Sequence, residues 1–194
     1  MRQITNFARH QASLRFCCDR AARGLRGLLS DRRGTAATEF AFVITPLAAI
    51  MIAILETSLV FFAQQALEST AEKSVRQLIT GTAQKAALSQ SAFRTSVCNN
   101  LPRFMDCAKL MVDVRTVSSF SGANVTAPTL TFNAGGNVTN SWSYNPGTPG
   151  SITVVTIIYI WSVQNGPLSF DLSTLSSNRR SLYATSVFKV EPYT

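Results

Sequence analysis

Two small sets of residues in this chain have the types and spacing to do chemistry. The first is the junction RRGTAATEFAF, residues 32–42. Gly34 is followed by Thr35, Ala36, Ala37 and Thr38, so only small side chains surround the Gly34–Thr35 bond. Cleavage of that bond would leave an α-amino group on Thr35, cationic at neutral pH. Glu39 would then lie one helical turn further on, within about 6–7 Å along the axis. Each of those charges is costly alone at shallow depth in lipid, and pairing reduces the cost. In a bundle of such helices Glu39 could equally pair with the amine of a neighbouring chain and set axial register. The simpler reading is that Glu39 favours a helix start through the macrodipole. The second set is Cys98 and Cys107, which straddle Pro102. Whether they are bridged depends on the compartment they face.

Nothing else supports catalysis. The only histidine, His10, lies in the basic N-terminal stretch, and the acids Asp106, Asp113, Asp171 and Glu191 are scattered. No phosphate-cradling glycine loop, dinucleotide fingerprint or metal-ligand spacing occurs. No enzyme activity, cofactor or metal is expected. NVT at Asn124 and at Asn137 fits a glycosylation acceptor, but such triplets arise by chance in an Asn/Thr-rich loop.

The elements that must position these residues follow from charge and hydropathy. Residues 1–34 carry eight arginines against Asp19 and Asp31, a net of +6, while the rest of the chain has a net of +2. A basic chain can bind nucleic acid. Here the charge is confined to the stretch before an apolar run, which the positive-inside rule explains more simply: that end is held in the cytoplasm. No nucleic-acid partner is expected. A secretory signal is excluded by the length of both the basic and the apolar region and by the lack of a closing small-residue site. A lipoprotein reading of Cys17 or Cys18 is excluded by Arg15. An Arg-rich organellar presequence over residues 1–30 is an open alternative.

Residues 40–55 are uncharged and mostly apolar, Glu56 interrupts, and residues 57–63 continue the apolar character. Residues 35–63 would make about 43 Å of helix, enough for a membrane span of roughly 20 residues. Pro46 removes one backbone donor and predicts a local kink. The helix is expected to continue as an amphipathic half through residue 91. Leu67, Ala71, Val75, Leu78, Thr82 and Ala86 share one face, and Glu72 and Arg76 form an i,i+4 pair. Glu56 lies about 32 Å along the helix from Thr35, which brings it to the outer interface or against another subunit's cation.

Three strands are predicted. Leu110–Val117 alternates, with Leu110, Val112 and Val114 on one face and Asp113 and Arg115 on the other. Residues 152–163 are dense in β-branched and aromatic residues and too short to span a membrane, which suits a buried central strand. Residues 182–190 alternate again. Residues 118–150 read as an outward-facing loop rich in turns, with a short strand at 129–132. The fold class is α+β: a long N-terminal helix, transmembrane then amphipathic, packed on a small antiparallel sheet.

The junction resembles the processing site of type IV prepilins, most closely the TadE-like branch of the tight-adherence (Flp) pilus assembly system. Gly34 matches the glycine cut on its carboxyl side, Thr35 the new N-terminus, Glu39 the fifth mature residue and Phe40 the aromatic after it. The ending VFKVEPY, residues 187–193, and a cysteine pair just after the long helix are similar to the family too. Pro46 stands earlier than the helix proline of major type IV pilins. The resemblance implies a pilin-like fold and a minor pilin or pseudopilin, cut after Gly34 by a membrane prepilin peptidase. It implies other pilins, the pilus assembly platform and the membrane as partners. Residues 1–34 would be a cytoplasmic leader, 35–63 a span of the bacterial inner membrane, and 64–194 a periplasmic domain that reaches the pilus or cell surface. In that oxidising compartment Cys98 and Cys107 are expected to bridge and pin the helix end to the first strand, the alternative being two free thiols. A rival reading is an uncleaved, single-pass anchored protein whose outer domain binds or senses a ligand.

Overall fold

The computed structural model describes residues 35–193, so the expected leader, Gly34 included, lies outside the described residues. The described residues fall into two units, 35–50 and 51–193. In the first unit the described residues are all helix. They begin α1 (Thr35–Ile79), which is continuous across Pro46. Thr38 donates to the Thr35 carbonyl at 2.8 Å and Thr45 to that of Ala41 at 2.7 Å. These hydroxyls are thereby satisfied within the helix itself, as an apolar surrounding demands.

The second unit contains the rest of α1, the short helix α2 (Thr82–Lys85), α3 (Gln90–Asn99), and the strands β1 (Leu110–Val117), β2 (Ile152–Ser162) and β3 (Arg179–Lys189). The strands form one antiparallel sheet in the order β1-β2-β3. The chain is therefore α+β, a long helix packed on a small antiparallel sheet, and the apolar run at 152–162 is the central strand. β3 begins three residues before the expected start at Leu182 and ends one before the expected end. No strand forms at 129–132; only an isolated bridge joins Phe132 to Val138.

Ala63, Leu67, Ala71, Val75 and Leu78 of α1 are buried. They recur at three- and four-residue spacings and so form one stripe. The same cluster takes Leu110, Val112 and Val114 from β1, Val155, Ile157 and Tyr159 from β2, and Leu182, Ala184 and Phe188 from β3. A second stripe on α1 is polar and holds the end of α3. Asn100 donates to Ser74 at 3.2 Å, and Gln77 and Ser96 exchange hydrogen bonds at 2.9 and 3.1 Å.

The long helix stops at Ile79, not near residue 91. Gly81 adopts φ 72°, a left-handed conformation that ends helices. The break shifts the helical phase, so Ala83 is buried and Thr82 and Ala86 are exposed. Glu72 and Arg76 are exposed and make no ion pair; among the described residues the one salt bridge joins Arg115 to Asp113. The helix end is capped by the far end of the chain: the Glu191 N–H donates to the Ile79 carbonyl at 2.9 Å. A Cβ on Gly81 would come within 2.0 Å of the Tyr193 ring. The ending VEPY thus closes the carbonyl end of α1.

Residues 118–150 do not all face outward. Val114 and Tyr144 form a parallel bridge, with Val114 N–H donating to Ser143 O at 2.9 Å and Asn145 N–H to Val114 O at 2.8 Å. This segment covers the outer edge of β1. It also buries Asp113, on the face of β1 opposite Leu110, Val112 and Val114: the carboxylate accepts from the Ser143 N–H at 2.8 Å and pairs with Arg115.

Candidate functional site

The junction residues that are described open α1. Thr35, Glu39 and Phe40 are exposed, Phe40 by 64% and nearby Phe42 by 81%. No described cation lies within ion-pair distance of Glu39. From Phe40 to Phe62 most large apolar side chains of α1 are likewise exposed. A soluble chain seldom leaves so continuous an apolar surface bare, and the helix is long and apolar enough to cross a membrane.

Glu56 is half-buried, and its position is not simply interfacial. Its Oε2 is sealed from solvent and has no hydrogen-bond partner among the described residues. The atom lies against the segment after β2: a Cβ on Gly166 would meet Glu56 Oε2 at 3.0 Å and the Phe170 carbonyl at 2.9 Å. Gly166 in turn donates to Phe170 O at 2.8 Å. The sequence alone does not reveal this neighbour, because it comes from a loop more than a hundred residues away.

Cys98 and Cys107 are bridged, with Cα atoms 5.6 Å apart. Cys98 sits in the last turn of α3, and Cys107 opens a 3₁₀ turn that leads into β1. The bridge therefore pins α3, not the long helix, to the first strand. Arg94 is a second tie, donating to the Cys107 carbonyl at 2.6 Å and to that of Leu110 at 2.9 Å. An arginine on α3 gives no sequence cue to this role. The closed loop carries Phe104, whose ring stacks on Phe62 at 5.4 Å and meets Trp161 edge-on at 6.4 Å.

Among the described residues the titratable groups make no reactive constellation. Burial pushes the Tyr144 and Tyr159 hydroxyls up from the usual tyrosine range. Tyr159 also accepts from the Asp106 N–H at 2.8 Å, and Tyr144 packs against Phe93 at 5.7 Å. The N–H and hydroxyl of Ser173 hold Asp171 below the usual carboxylate range. These groups serve turns and core. Among the described residues no set of three or more His, Cys, Asp or Glu could hold a metal ion.

Residues 34–76 match the model of the family described as TadE-like protein. The matched segment begins at the junction glycine and runs through most of α1. No curated protein matches the chain, and no solved structure matches it.

Proposed function

From the TadE-like match over residues 34–76 we propose that this chain is a minor pilin or pseudopilin of a tight-adherence (Flp, type IVb-like) pilus assembly system. The family is one of pilus assembly and not of enzymes. The observation that carries the reading is the two-part character of α1. Its first part exposes an apolar surface, and its last part supplies the core stripe of an α+β domain. A chain built this way is a subunit whose anchor can pack with like helices while its domain stays in water.

In this account residues 1–34 are a cytoplasmic leader, and residues 35–63 cross the inner membrane. Residues 64–194 form the periplasmic domain, where a disulfide is chemically at home. A prepilin peptidase cuts after Gly34. The amine created on Thr35 pairs with Glu39 of its own or a neighbouring chain, and Phe40 packs with the surrounding helices. Glu56, at the other end of the span, contacts the assembly through the part of its side chain that the segment after β2 leaves exposed. Partners are the peptidase, other pilins and the assembly platform.

Gly34→Arg tests the reading at its root. It places a bulky charge at the scissile bond, and the precursor should accumulate at full length in cells that hold the peptidase. Processing of this variant to the wild-type size would remove Gly34 as the site and favour an uncleaved anchored binding protein.

A further inference from the structure

The base of the outer domain carries two apolar loop tips that the pilin reading does not use. One is Phe104, 48% exposed, in the loop closed by the Cys98–Cys107 bridge. The other is Leu168, 83% exposed, in the turn at residues 166–170. Both sit beside α1 at neighbouring levels. Phe104 stacks on Phe62, and Gly166 lies against Glu56. Six residues separate those helix positions, about 9 Å along the axis.

Each tip is built to stay outward. Trp161 backs the Phe104 ring edge-on, and Trp161 itself leans on Tyr159 at 6.3 Å. Leu168 and Ser169 hold φ of 56° and 63°, a left-handed conformation that leucine rarely adopts. The turn is kept by hydrogen bonds from Gly166 to Phe170 and from Phe170 to Pro167, at 2.8 and 3.1 Å.

We propose that these two tips rest in the outer leaflet of the membrane, with lipid at the headgroup–acyl boundary as their occupant. The inference rests on the reading of α1 as a span. The hydrocarbon core takes roughly 20 of the residues 35–63 and, counted from Phe40, ends near Leu59, between Glu56 and Phe62. Leu55, Leu59 and Phe61, at that level of the helix, are exposed as well. Arg103, next to Phe104, is exposed and of a type that binds lipid phosphate, and tryptophans such as Trp161 behind the Phe104 ring concentrate at such boundaries. The contact also gives the buried Glu56 oxygen a reason: the turn at 166–170 covers the carboxylate where bare lipid would otherwise meet it.

The test uses the full chain in phosphatidylethanolamine–phosphatidylglycerol vesicles, with Cys17 and Cys18 changed to Ser. Nitroxide labels are placed singly at Leu168→Cys, at Phe42→Cys in the span, and at Phe120→Cys beyond the other end of β1. Collision with oxygen is compared with collision with a water-soluble nickel chelate. Labels at 42 and 168 should favour oxygen and the label at 120 the chelate. A label at 168 that favours the chelate, while 42 remains in lipid, overturns the lipid contact and leaves the anchor intact. A label at 168 shielded from both reagents points to a protein occupant and also overturns it. A label at 42 that favours the chelate overturns the span, and the lipid contact with it. In the Trp142→Phe chain, lipids brominated near the headgroup should quench Trp161; undiminished emission counts against the Phe104 side of the contact.

Discussion

Removing the Cys98–Cys107 bridge should destabilise the outer domain by an amount set mainly by the unfolded chain. The two cysteines are nine residues apart in sequence. Loop-closure entropy for a ring of that size corresponds to about 2.6 kcal/mol at 25 °C. The folded state should change little in Cys98→Ser/Cys107→Ser, because Arg94 holds the same junction through two backbone carbonyls. Phe93 and Val97 on α3 also stay in the core. The assay is urea unfolding of the detergent-solubilised chain, followed by the fluorescence of Trp142 and Trp161. With a slope of about 1–3 kcal/mol per molar urea, the midpoint should fall by roughly 0.9–2.6 M, with a small rise in the slope as the unfolded chain loosens. A change below about 0.5 kcal/mol, under the range ordinarily seen for a bridge, would refute the unfolded-state argument. In whole cells the two thiols should react with a maleimide only after reduction. Labelling of the unreduced protein would contradict their place in an oxidising compartment.

Other expectations follow from single residues. Glu39→Ala should still be processed but assemble poorly, and normal piliation would remove the pairing argument. Asp113→Ala leaves the Ser143 N–H without its acceptor and should cost about 1–3 kcal/mol, with Asp113→Asn milder; thermal melts of the two distinguish this from a mere charge effect. Gly81→Ala forces a left-handed alanine, about 1–2 kcal/mol, and a clash with Tyr193. Combining it with Tyr193→Ala should recover only the clash, which a double-mutant cycle reads directly. Burial, reinforced by the charge of Asp106 and opposed by its N–H, raises the Tyr159 pKa in the folded state. Its contribution is therefore complete below the unfolded value of about 10 and fades as pH rises through the raised one. Tyr159→Phe should flatten the alkaline limb of a stability–pH curve, and an unchanged limb would place that loss elsewhere.

The parts of the fold that were legible in sequence are those set by periodicity. The core stripe of α1 and the inward faces of β1 and β3 follow from spacing alone, and β2 from an unbroken β-branched run. What was hidden depends on contacts between distant segments. Gly81 was visible, but its power to end the helix rests on the left-handed backbone and on Tyr193 filling the space beside it. Alternation puts Asp113 on the face opposite Leu110, Val112 and Val114, but it cannot show that residues 143–145 return to cover the edge of β1 and bury it. The short strand expected at 129–132 had the residues for pairing but met only the nearby residues 138–140, largely through the Asn140 side chain, and formed a single bridge to Val138. Of the candidate site, the cysteine pair was legible down to its bridge, though not the helix it ties. Glu56 was visible as an acid in an apolar run, while its neighbour Gly166 was not. The junction glycine is a matter of chemistry at one peptide bond and is decided by cleavage.

That bond is where the account is tested most directly. Intact mass and N-terminal sequence should be measured on the protein from its native membrane, with and without the prepilin peptidase. The account predicts a chain beginning at Thr35 that appears only when the peptidase is present. A chain that still begins near Met1 in cells holding an active peptidase would contradict it.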